Sequence, residues 1–409
     1  MRRNTLYFWL PLLLIVLPLA ATPATAHEDG SSQSYRSTEL IVKLKPWADP
    51  TVFAESAGLR LQSRSNSRIP GRPIYRFDIA DGATPIAKAT ALASNAAVAY
   101  VEPNYVGQVP EATRRSSWVV GSDAGAYVAQ WAAAQINLPA AHAISKGTDV
   151  IVAILDTGID LTHPALANRL VPGYDFIGGD DTPQEEGDAS SGAFGHGTHV
   201  AGLVALTAPE ARIMPLRTLD SDGSGDLWTQ VVALRYAADH GAEVINLSFS
   251  FGQRSQLFDD VVADVSCSAT GYTNCRSRRQ PGAVVVAAAG NTGARTRAWP
   301  GASSVPGIVG VAASTAQDTL ATFSTYGGQI MVAAPGEGIT SSVPGGGYAT
   351  WSGTSMAAPF VSGVAALIRA NEVYLRPIDV IQRIAASNAE IDGPVHGRLD
   401  AAAVLSPGP

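Results

Sequence analysis

The stretch 353–359 reads Gly-Thr-Ser-Met-Ala-Ala-Pro and contains a serine, Ser355, that could act as a nucleophile. The apolar run from Met356 to Ile368 predicts a helix, and Ser355 directly precedes it. The N-terminal end of a helix offers partial positive charge and free N–H groups, which favour negative charge developing nearby. A nucleophilic serine also needs a base that takes its proton. Because serine is equally an ordinary helix cap, this stretch gains meaning only from residues elsewhere in the chain.

A histidine that could be this base, His196, lies between two glycines at the start of a predicted helix. Its unperturbed pKa suits proton transfer near neutral pH. A second histidine, His199, faces inward with Val200 and Leu203, and we predict a structural role for it. Zinc binding by the two histidines is the alternative. It is disfavoured because no glutamate separates them and no third ligand is evident.

Two further polar side chains directly follow buried apolar runs. Asp156 follows the run 150–155 and could orient a histidine, although it could also be a turn or helix-cap residue. Asn291 ends the run 284–290, and its side-chain amide could donate to an oxyanion. The alternative for Asn291 is a turn residue, since Asn-Thr-Gly is ordinary turn chemistry.

The elements that would position these side chains are short apolar runs that recur from residue 130 onward. Such runs are typical of strands buried on both faces of a parallel sheet. They cover 150–155, 212–216, 243–247, 283–289, 308–312 and 330–333. Predicted helices between them include 199–206, 227–240 and 258–265. The pattern predicts an α/β fold, a doubly wound and mostly parallel sheet whose functional residues gather at the carboxyl ends of the strands.

The chain divides into four predicted segments. Residues 1–26 have the basic start, apolar run and small-residue exit of a signal peptide. A membrane anchor is the alternative, but the prolines and the shortness of the run favour removal. Residues 27–107 predict a small α+β domain, 108–129 a linker with a processing site, and 130–409 the main α/β domain.

Composition restricts the possible partners. The 409 residues are 46% hydrophobic and 15% charged, enough to bury a large core. A net charge of -7, with no basic cluster beyond Arg276 to Arg279, argues against a nucleic-acid partner. No later stretch approaches the roughly 18 apolar residues of a spanning helix. We therefore expect a secreted or periplasmic protein with no membrane partner once the signal is removed. Its only cysteines, Cys267 and Cys275, predict a structural disulfide.

In their flanking motifs and in this order, Asp156, His196, Asn291 and Ser355 resemble the subtilisin family of serine proteases, the subtilases. The resemblance covers residues 130 to about 402. It implies that Asp156 orients the imidazole, that His196 is the general base and then the acid, and that Ser355 is the nucleophile. Asn291 would be an oxyanion donor together with the Ser355 backbone N–H. The implied activity is that of a secreted serine endopeptidase that forms an acyl-enzyme.

The same resemblance implies a substrate cleft that binds an extended peptide by its main chain. Two backbone segments would sandwich the peptide, one formed by Gly223, Ser224 and Gly225, the other by Ser248, Phe249 and Ser250. The wall of the pocket for the residue before the cut would comprise Ala288, Ala289 and Gly290, with Ala298 and Trp299 near its base. No carboxylate lies in these stretches, so an apolar preference is expected.

The small N-terminal domain also fits the resemblance. The strands predicted at 38–45 and 99–105 resemble the propeptide inhibitor domain found ahead of many subtilases. Such a domain would assist folding, block the cleft and be cut away, so the expected partners are protein or peptide substrates and the chain's own propeptide. The alternative is a permanent accessory domain, because likeness of fold alone does not give function.

The sequence departs from the family pattern at two places. Ser250 replaces a glycine at the cleft edge, where its side chain would narrow the pocket. The calcium-binding loop usually inserted in the helix after the catalytic histidine is missing at 206–209.

The chemistry requires no cofactor, but a structural calcium ion is a possible addition. Asp175, Asp180, Thr182 and Gln184 line up with another calcium loop of some subtilases, and oxygen ligands suit that ion. A solvated acidic loop is the alternative for this stretch.

Two other functions compete with proteolysis. A catalytically inactive subtilase fold could serve binding alone. Esterase activity would need a Gly-x-Ser-x-Gly elbow, and the motif around Ser355 lacks the second glycine.

Overall fold

The structure is a computed structural model that describes residues 34–64, 74–113, 119–267, 282–295, 298–386 and 388–406. The predicted signal peptide at residues 1–26 and Cys275 lie outside the described residues. Cys267 is disulfide-bonded. Among the described helices, none is both long and apolar enough to cross a membrane.

The N-terminal domain packs two helices on an antiparallel sheet. Its elements in chain order are β1 (Tyr35–Leu44), α1 (Pro50–Ala57), β2 (Leu59–Arg64), β3 (Ile74–Ile79), α2 (Pro85–Leu92) and β4 (Val98–Gln108). Asp49 caps α1 by accepting from two backbone N–H groups, and Gly58 ends it with φ 63, a conformation that glycine adopts without strain. Phe53 packs edge-on against Phe77 in the core. The α+β prediction for this domain is confirmed in its strands and helices, and β2 is the element that the sequence pattern did not indicate.

The rest of the chain forms the main domain. Its strands are β5 (Val119–Ser122), β6 (Ile151–Asp156), β7 (Tyr174–Asp175), β8 (Arg212–Arg217), β9 (Ser224–Asp226), β10 (Val244–Leu247), β11 (Val284–Ala288), β12 (Ile308–Ser314), β13 (Ile330–Pro335), β14 (Ile339–Val343), β15 (Gly347–Trp351), β16 (Asn388–Ala389) and β17 (Arg398–Leu399). Its helices are α3 (Ala124–Val128), α4 (Trp131–Gln135), α5 (Leu138–His142), α6 (His196–Thr207), α7 (Leu227–Asp239), α8 (Gln256–Val265), α9 (Thr354–Asn371), α10 (Pro377–Ala386) and α11 (Ala401–Leu405).

A nine-stranded sheet organises this domain in the order β16-β17-β13-β12-β11-β10-β6-β8-β7. All neighbours pair in parallel except β16 and β17. Alternate residues of β6 pack on opposite faces of the sheet. Val152 and Ile154 join the core that contains α6 and α9, whereas Ala153 and Leu155 join the core that contains α7 and α8. The predicted doubly wound, mostly parallel sheet is therefore confirmed.

The two domains share a sheet. Strand β4 pairs with β1 on one side and with β9 of the main domain on the other, in the order β2-β3-β1-β4-β9. Within the expected linker 108–129, β5 joins β14 and β15 in a three-stranded sheet, and α3 follows it. This segment is therefore more regular than its mixed sequence indicated, because long-range pairing rather than local periodicity orders it.

Candidate active site

Asp156 and His196 meet where β6 ends and α6 begins. The Nδ1 atom of His196 lies 2.7 Å from Asp156 Oδ1, and both side chains are buried. Asp156 Oδ1 also accepts from the backbone N–H of Thr157 at 2.8 Å, which fixes the carboxylate at the strand end. The predicted juxtaposition of these two residues is present.

A glycine makes this approach possible. A Cβ atom added at Gly197 would lie 2.1 Å from the carbonyl oxygen of Gly158, in the loop after β6. No side chain fits at that distance, so only glycine lets the start of α6 reach the end of β6. The helix also begins three residues earlier than its apolar pattern indicated, which makes His196 its first residue.

Ser355 is the second residue of α9, whose N-cap is Gly353. The helix begins at Thr354 rather than at Met356, so the hydroxyl lies within the first turn, where unpaired N–H groups create positive potential. Ser248 Oγ donates to the carbonyl oxygen of Ser355 at 3.3 Å. This bond ties the nucleophile candidate to one of the two predicted cleft segments.

Asn291 follows β11 and reaches the same point. Its Oδ1 accepts from Thr354 N at 3.0 Å and from Thr354 Oγ1 at 2.9 Å. With the amide oxygen held in this way, the Nδ2 group faces the site beside Ser355. Thr354 is therefore a positioning residue that sequence reasoning missed, although it adjoins the predicted nucleophile.

An unpredicted carboxylate, that of Glu111, lies at the centre of the site. Its Oε2 accepts from Ser355 Oγ at 2.7 Å and from His196 Nε2 at 3.2 Å, and its Oε1 accepts from Asn291 Nδ2 at 2.9 Å. Glu111 lies in a short 3-10 turn, Pro110–Thr113, just beyond β4. No local sequence signal marks it, because its position follows from the way β4 lies against the main domain.

The charges of these groups depend on one another. Burial alone would lower the pKa of His196, but the carboxylates of Asp156 and Glu111 raise it to about 10. Burial would raise the pKa of Glu111, yet bonds from His196, Ser355 and Asn291 hold it below its usual value. The two carboxylates thus favour the charged form of the imidazole.

The segment before Glu111 lies extended between the two predicted cleft edges. Residues 106–108 pair antiparallel with 224–226, and Val109 N donates to the Gly223 carbonyl at 2.9 Å. On the other side Gln108 and Ser250 exchange two backbone bonds of 3.0 and 2.9 Å. The first predicted cleft segment and Ser250 of the second therefore contact a peptide strand through main-chain atoms, whereas Phe249 is buried and packs against Phe251.

The predicted pocket wall lies at the end of β11. Ala288 and Ala289 are buried, and Gly290 adopts φ +96, with the Ala298 Cβ 3.1 Å from where its own Cβ would be. Trp299 exchanges backbone bonds with Phe251, next to Ser250. Gly290 N donates to Thr354 Oγ1 at 3.0 Å, so the Gly290 end of the wall adjoins the residue before the nucleophile candidate.

His199 is part of the core. Its ring stacks on Trp351 with centroids 4.3 Å apart, and Nε2 lies 3.2 Å from the Ala349 carbonyl. Burial lowers its pKa to about 3, so it stays neutral. These contacts agree with the predicted structural role.

A second buried carboxylate, Glu185, lies behind the Asp156–His196 pair and was also missed. Its Oε2 accepts from Thr198 N at 3.1 Å and from Thr198 Oγ1 at 2.9 Å, in the first turn of α6. Burial raises its pKa to about 7, and the charge of Asp156 contributes to the rise. Glu185 therefore anchors the helix that carries His196.

The side chains of Asp175, Asp180 and Gln184, all expected to bind calcium, have other hydrogen-bond partners in this structure. Asp175 is buried, with Oδ1 accepting from two backbone N–H groups and Oδ2 accepting from Arg217 at 2.8 Å. The Oδ1 of Asp180 accepts from Thr182 N, and the Oε1 of Gln184 accepts from Leu161 N. A guanidinium already supplies the positive charge at Asp175. Within the described part of the chain, no group of three His, Cys, Asp or Glu residues has the arrangement of a metal site.

Comparison with known proteins accounts for both domains. Residues 147–397 match the subtilase family (Peptidase_S8), and residues 21–104 match the fervidolysin N-terminal prodomain. A thermophilic serine proteinase of Bacillus sp. (strain AK1) is 34% identical over 357 residues, which are 84% of this chain and 80% of that protein. Thermitase of Thermoactinomyces vulgaris is 40% identical over 250 residues, 58% of this chain and 81% of thermitase. Subtilisin E of Bacillus subtilis (strain 168) is 31% identical over 371 residues, 87% of each chain. This chain therefore belongs to the subtilase family of serine proteases, and it is a subtilisin-like hydrolase preceded by a prodomain.

Proposed function

We propose that the chain is the precursor of a secreted serine endopeptidase in which Asp156, His196 and Ser355 form the catalytic triad. The observation that carries this proposal is the position of residues 106–109 between both cleft edges, directly before Glu111, whose Oε2 contacts both Ser355 and His196. A peptide strand in that position is what an endopeptidase must bind before it cuts.

The chemistry then follows from the geometry. His196 Nε2 takes the proton of Ser355 Oγ as that oxygen attacks the substrate carbonyl carbon, while Asp156 stabilises the imidazolium through Nδ1. The carbonyl oxygen becomes an oxyanion that accepts from Asn291 Nδ2 and from the Ser355 backbone N–H. When the intermediate collapses, the C–N bond breaks and His196 gives its proton to the leaving amine. Water, deprotonated by His196, then hydrolyses the acyl-serine ester.

We further propose a broad specificity with an apolar preference before the cut. The small wall residues Ala288, Ala289 and Gly290 leave room for a side chain and offer no carboxylate that would pair with a basic one. Main-chain pairing along 223–225 and Ser250 makes little demand on the other substrate positions.

The prodomain is proposed to be an intramolecular inhibitor that the enzyme itself cuts away between Tyr105 and Tyr127. The strand that joins the two domains continues directly into the cleft, so an uncut chain blocks its own substrate site. The chemistry needs no metal, because the side chains supply the nucleophile, the base and the oxyanion donor.

A fluorophosphonate probe tests the assigned nucleophile. We expect it to label the processed protein at Ser355 and to leave the Ser355→Ala variant unlabelled, with His196→Ala labelled far more slowly because the base is absent. Mass spectrometry of the labelled peptide locates the adduct. If the processed protein takes up no label, the fold serves binding alone and the proposed activity is wrong.

A further inference from the structure

Glu111 contacts three side chains on which the proposed reaction depends, those of Ser355, His196 and Asn291. One oxygen of its carboxylate accepts from Ser355 Oγ at 2.7 Å and from His196 Nε2 at 3.2 Å. The other oxygen accepts from Asn291 Nδ2 at 2.9 Å. A single side chain of the uncut chain thus engages the nucleophile, the base and the oxyanion donor together.

The Glu111 carboxylate is buried close to the backbone of Gly353, at the start of α9. Glu111 is only 7% exposed. A Cβ atom added at Gly353 would lie 1.8 Å from Glu111 Oε1, so any larger residue at the N-cap of α9 would exclude the carboxylate. The glycine that begins this helix therefore also makes room for Glu111.

These contacts favour a proton on His196 Nε2, the nitrogen that must be unprotonated for His196 to act as the base. His196 Nδ1 lies 2.7 Å from Asp156 Oδ1 and Nε2 lies 3.2 Å from Glu111 Oε2, and carboxylate oxygens on both sides favour a proton on each ring nitrogen. A protonated Nε2 cannot accept the proton of Ser355. The charged groups that face the imidazole are Asp156 and Glu111, with Glu185 behind Asp156 in contact with the same helix.

We propose that Glu111 is an inhibitory side chain that locks the active site of the uncut chain, in addition to the backbone pairing of residues 106–109. The inference rests on the proposed roles of His196, Ser355 and Asn291. It goes beyond them because backbone pairing alone would only fill the cleft, whereas this carboxylate disables the reacting groups themselves.

The position of Glu111 in the chain explains how the lock is held and released. Val109 is tied to the Gly223 carbonyl, and the turn 110–113 then carries the side chain onto the nucleophile. The chain's first cut requires this carboxylate to leave the site, either by side-chain rotation or by unwinding of the turn. The lock therefore slows the first cut.

The test compares the rate of the first cut in purified full-length chains that are refolded by dilution from denaturant. Glu111→Gln keeps the size of the side chain but removes its charge, and we expect its first cut to be about 10-fold faster or more, because charge-assisted hydrogen bonds are the strong ones. Glu102→Gln is the matched control. The Glu102 carboxylate also joins the prodomain to the main domain, at Ser255 and Gln256, but it does not touch the reacting groups. Its variant should be cut at close to the parent rate.

An equal or slower first cut in Glu111→Gln would overturn the inference, as would equal acceleration in Glu102→Gln, which would mean that any loosening of the prodomain is enough. A second measurement tests the lock without using the rate of the first cut, which poor folding of the variant would also change. In the uncut Ser355→Ala chain, NMR of the His196 ring should show its pKa fall when Glu111→Gln is added, and an unchanged pKa would also overturn the lock. The Ser355→Ala chain separates the two claims: if it is cut normally, the proposed function fails, whereas an inert Ser355→Ala chain with an unchanged Glu111→Gln rate refutes the lock alone.

Discussion

At the scale of single residues, the site depends on side chains whose orientation a neighbour fixes. Asn291 is an example, because two bonds from Thr354 hold its amide oxygen and leave the Nδ2 group facing Ser355. A donor that is oriented before the reaction costs no reorganisation when negative charge develops. The donor is therefore expected to act mainly on the transition state.

Replacing this donor should reduce turnover rather than binding. We expect Asn291→Ala to lower kcat by about 10²–10³ with KM nearly unchanged, a magnitude measured for the corresponding amide of subtilisin, a relative, rather than derived for this chain. Thr354→Val should give a smaller fall, because the amide remains but is less well oriented. Steady-state kinetics of the processed variants on a chromogenic peptide measure both values. A rise in KM with an unchanged kcat would contradict the role of an oxyanion donor.

Glu185 predicts a dependence of stability on pH. Burial raises its pKa to about 7 from the usual 4.5, so the folded state binds more protons than the unfolded state between these values. Stability from this group is complete below about pH 4.5 and is lost as pH rises through about 7. The glutamine in Glu185→Gln cannot ionise. The free energy of unfolding of this variant, relative to that of its parent, should therefore rise by about 2–3 kcal/mol from pH 5 to pH 8.

Urea denaturation of the uncut Ser355→Ala chain, with and without Glu185→Gln, measures this difference. The titrations of His196 and Glu111 are common to both chains and cancel in the comparison. Glu337→Gln, at an exposed position, is the control and should show a constant difference. If the difference in unfolding free energy for Glu185→Gln is equally constant from pH 5 to pH 8, ionisation of Glu185 does not destabilise the folded state.

The residues that local motifs marked were found from the sequence, and those defined by long-range geometry were not. Asp156, His196, Asn291 and Ser355 each lie at a predicted strand or helix end, and these ends meet. Glu185 and Glu186 are adjacent and alike in sequence, yet Glu185 is buried against α6 and Glu186 is exposed beside Arg217. Glu111 lies in a stretch without periodicity, and its role depends on the register of β4 against β9.

At the scale of elements, apolar runs predicted the strands of the large sheet because both faces of that sheet are covered by helices. The same reasoning missed β2, which is mostly exposed, and the β14–β15 pair, whose polar and small residues interrupt any continuous apolar run. The apolar runs alone also began too late at α6 and α9, because the residues in the first turns of these helices are polar, although the glycines beside His196 had marked a helix start there. The polar start of each helix is where the site is built.

The loop after β7 makes a prediction about metal removal. Because Asp175 pairs with Arg217 and its other oxygen accepts backbone N–H groups, we expect EDTA to leave the Tm of the Ser355→Ala chain unchanged. Differential scanning calorimetry with and without added calcium measures this. A fall in Tm with EDTA that disappears in Asp180→Asn would show that the loop does hold the ion.

At the scale of the whole molecule, strand β4 carries the backbone pairing between the prodomain and the main domain, and β1 adds ion pairs from Arg36 to Asp226 and from Lys43 to Asp260. Along β4, Glu102 accepts from the first N–H of α8 and Asn104 accepts from Trp228 N in the first turn of α7. Both side chains satisfy backbone donors that a helix leaves unpaired at its start. The end of β4 then pairs with β9 and delivers the chain to the nucleophile. The strand that pairs with the main domain is thus also the strand that enters the predicted cleft.

The central claim is that Ser355 and His196 cut peptide bonds, the chain's own bond first. The most direct measurement is a gel and mass analysis of the full-length parent, Ser355→Ala, His196→Ala and Asn291→Ala chains, each purified and refolded without other proteases. The parent should lose its prodomain through a cut between Tyr105 and Tyr127. Ser355→Ala and His196→Ala should fold and stay intact, because the triad acts as a unit. Asn291→Ala should be cut slowly, since one oxyanion donor would remain. Normal cutting of the Ser355→Ala chain would contradict the claim.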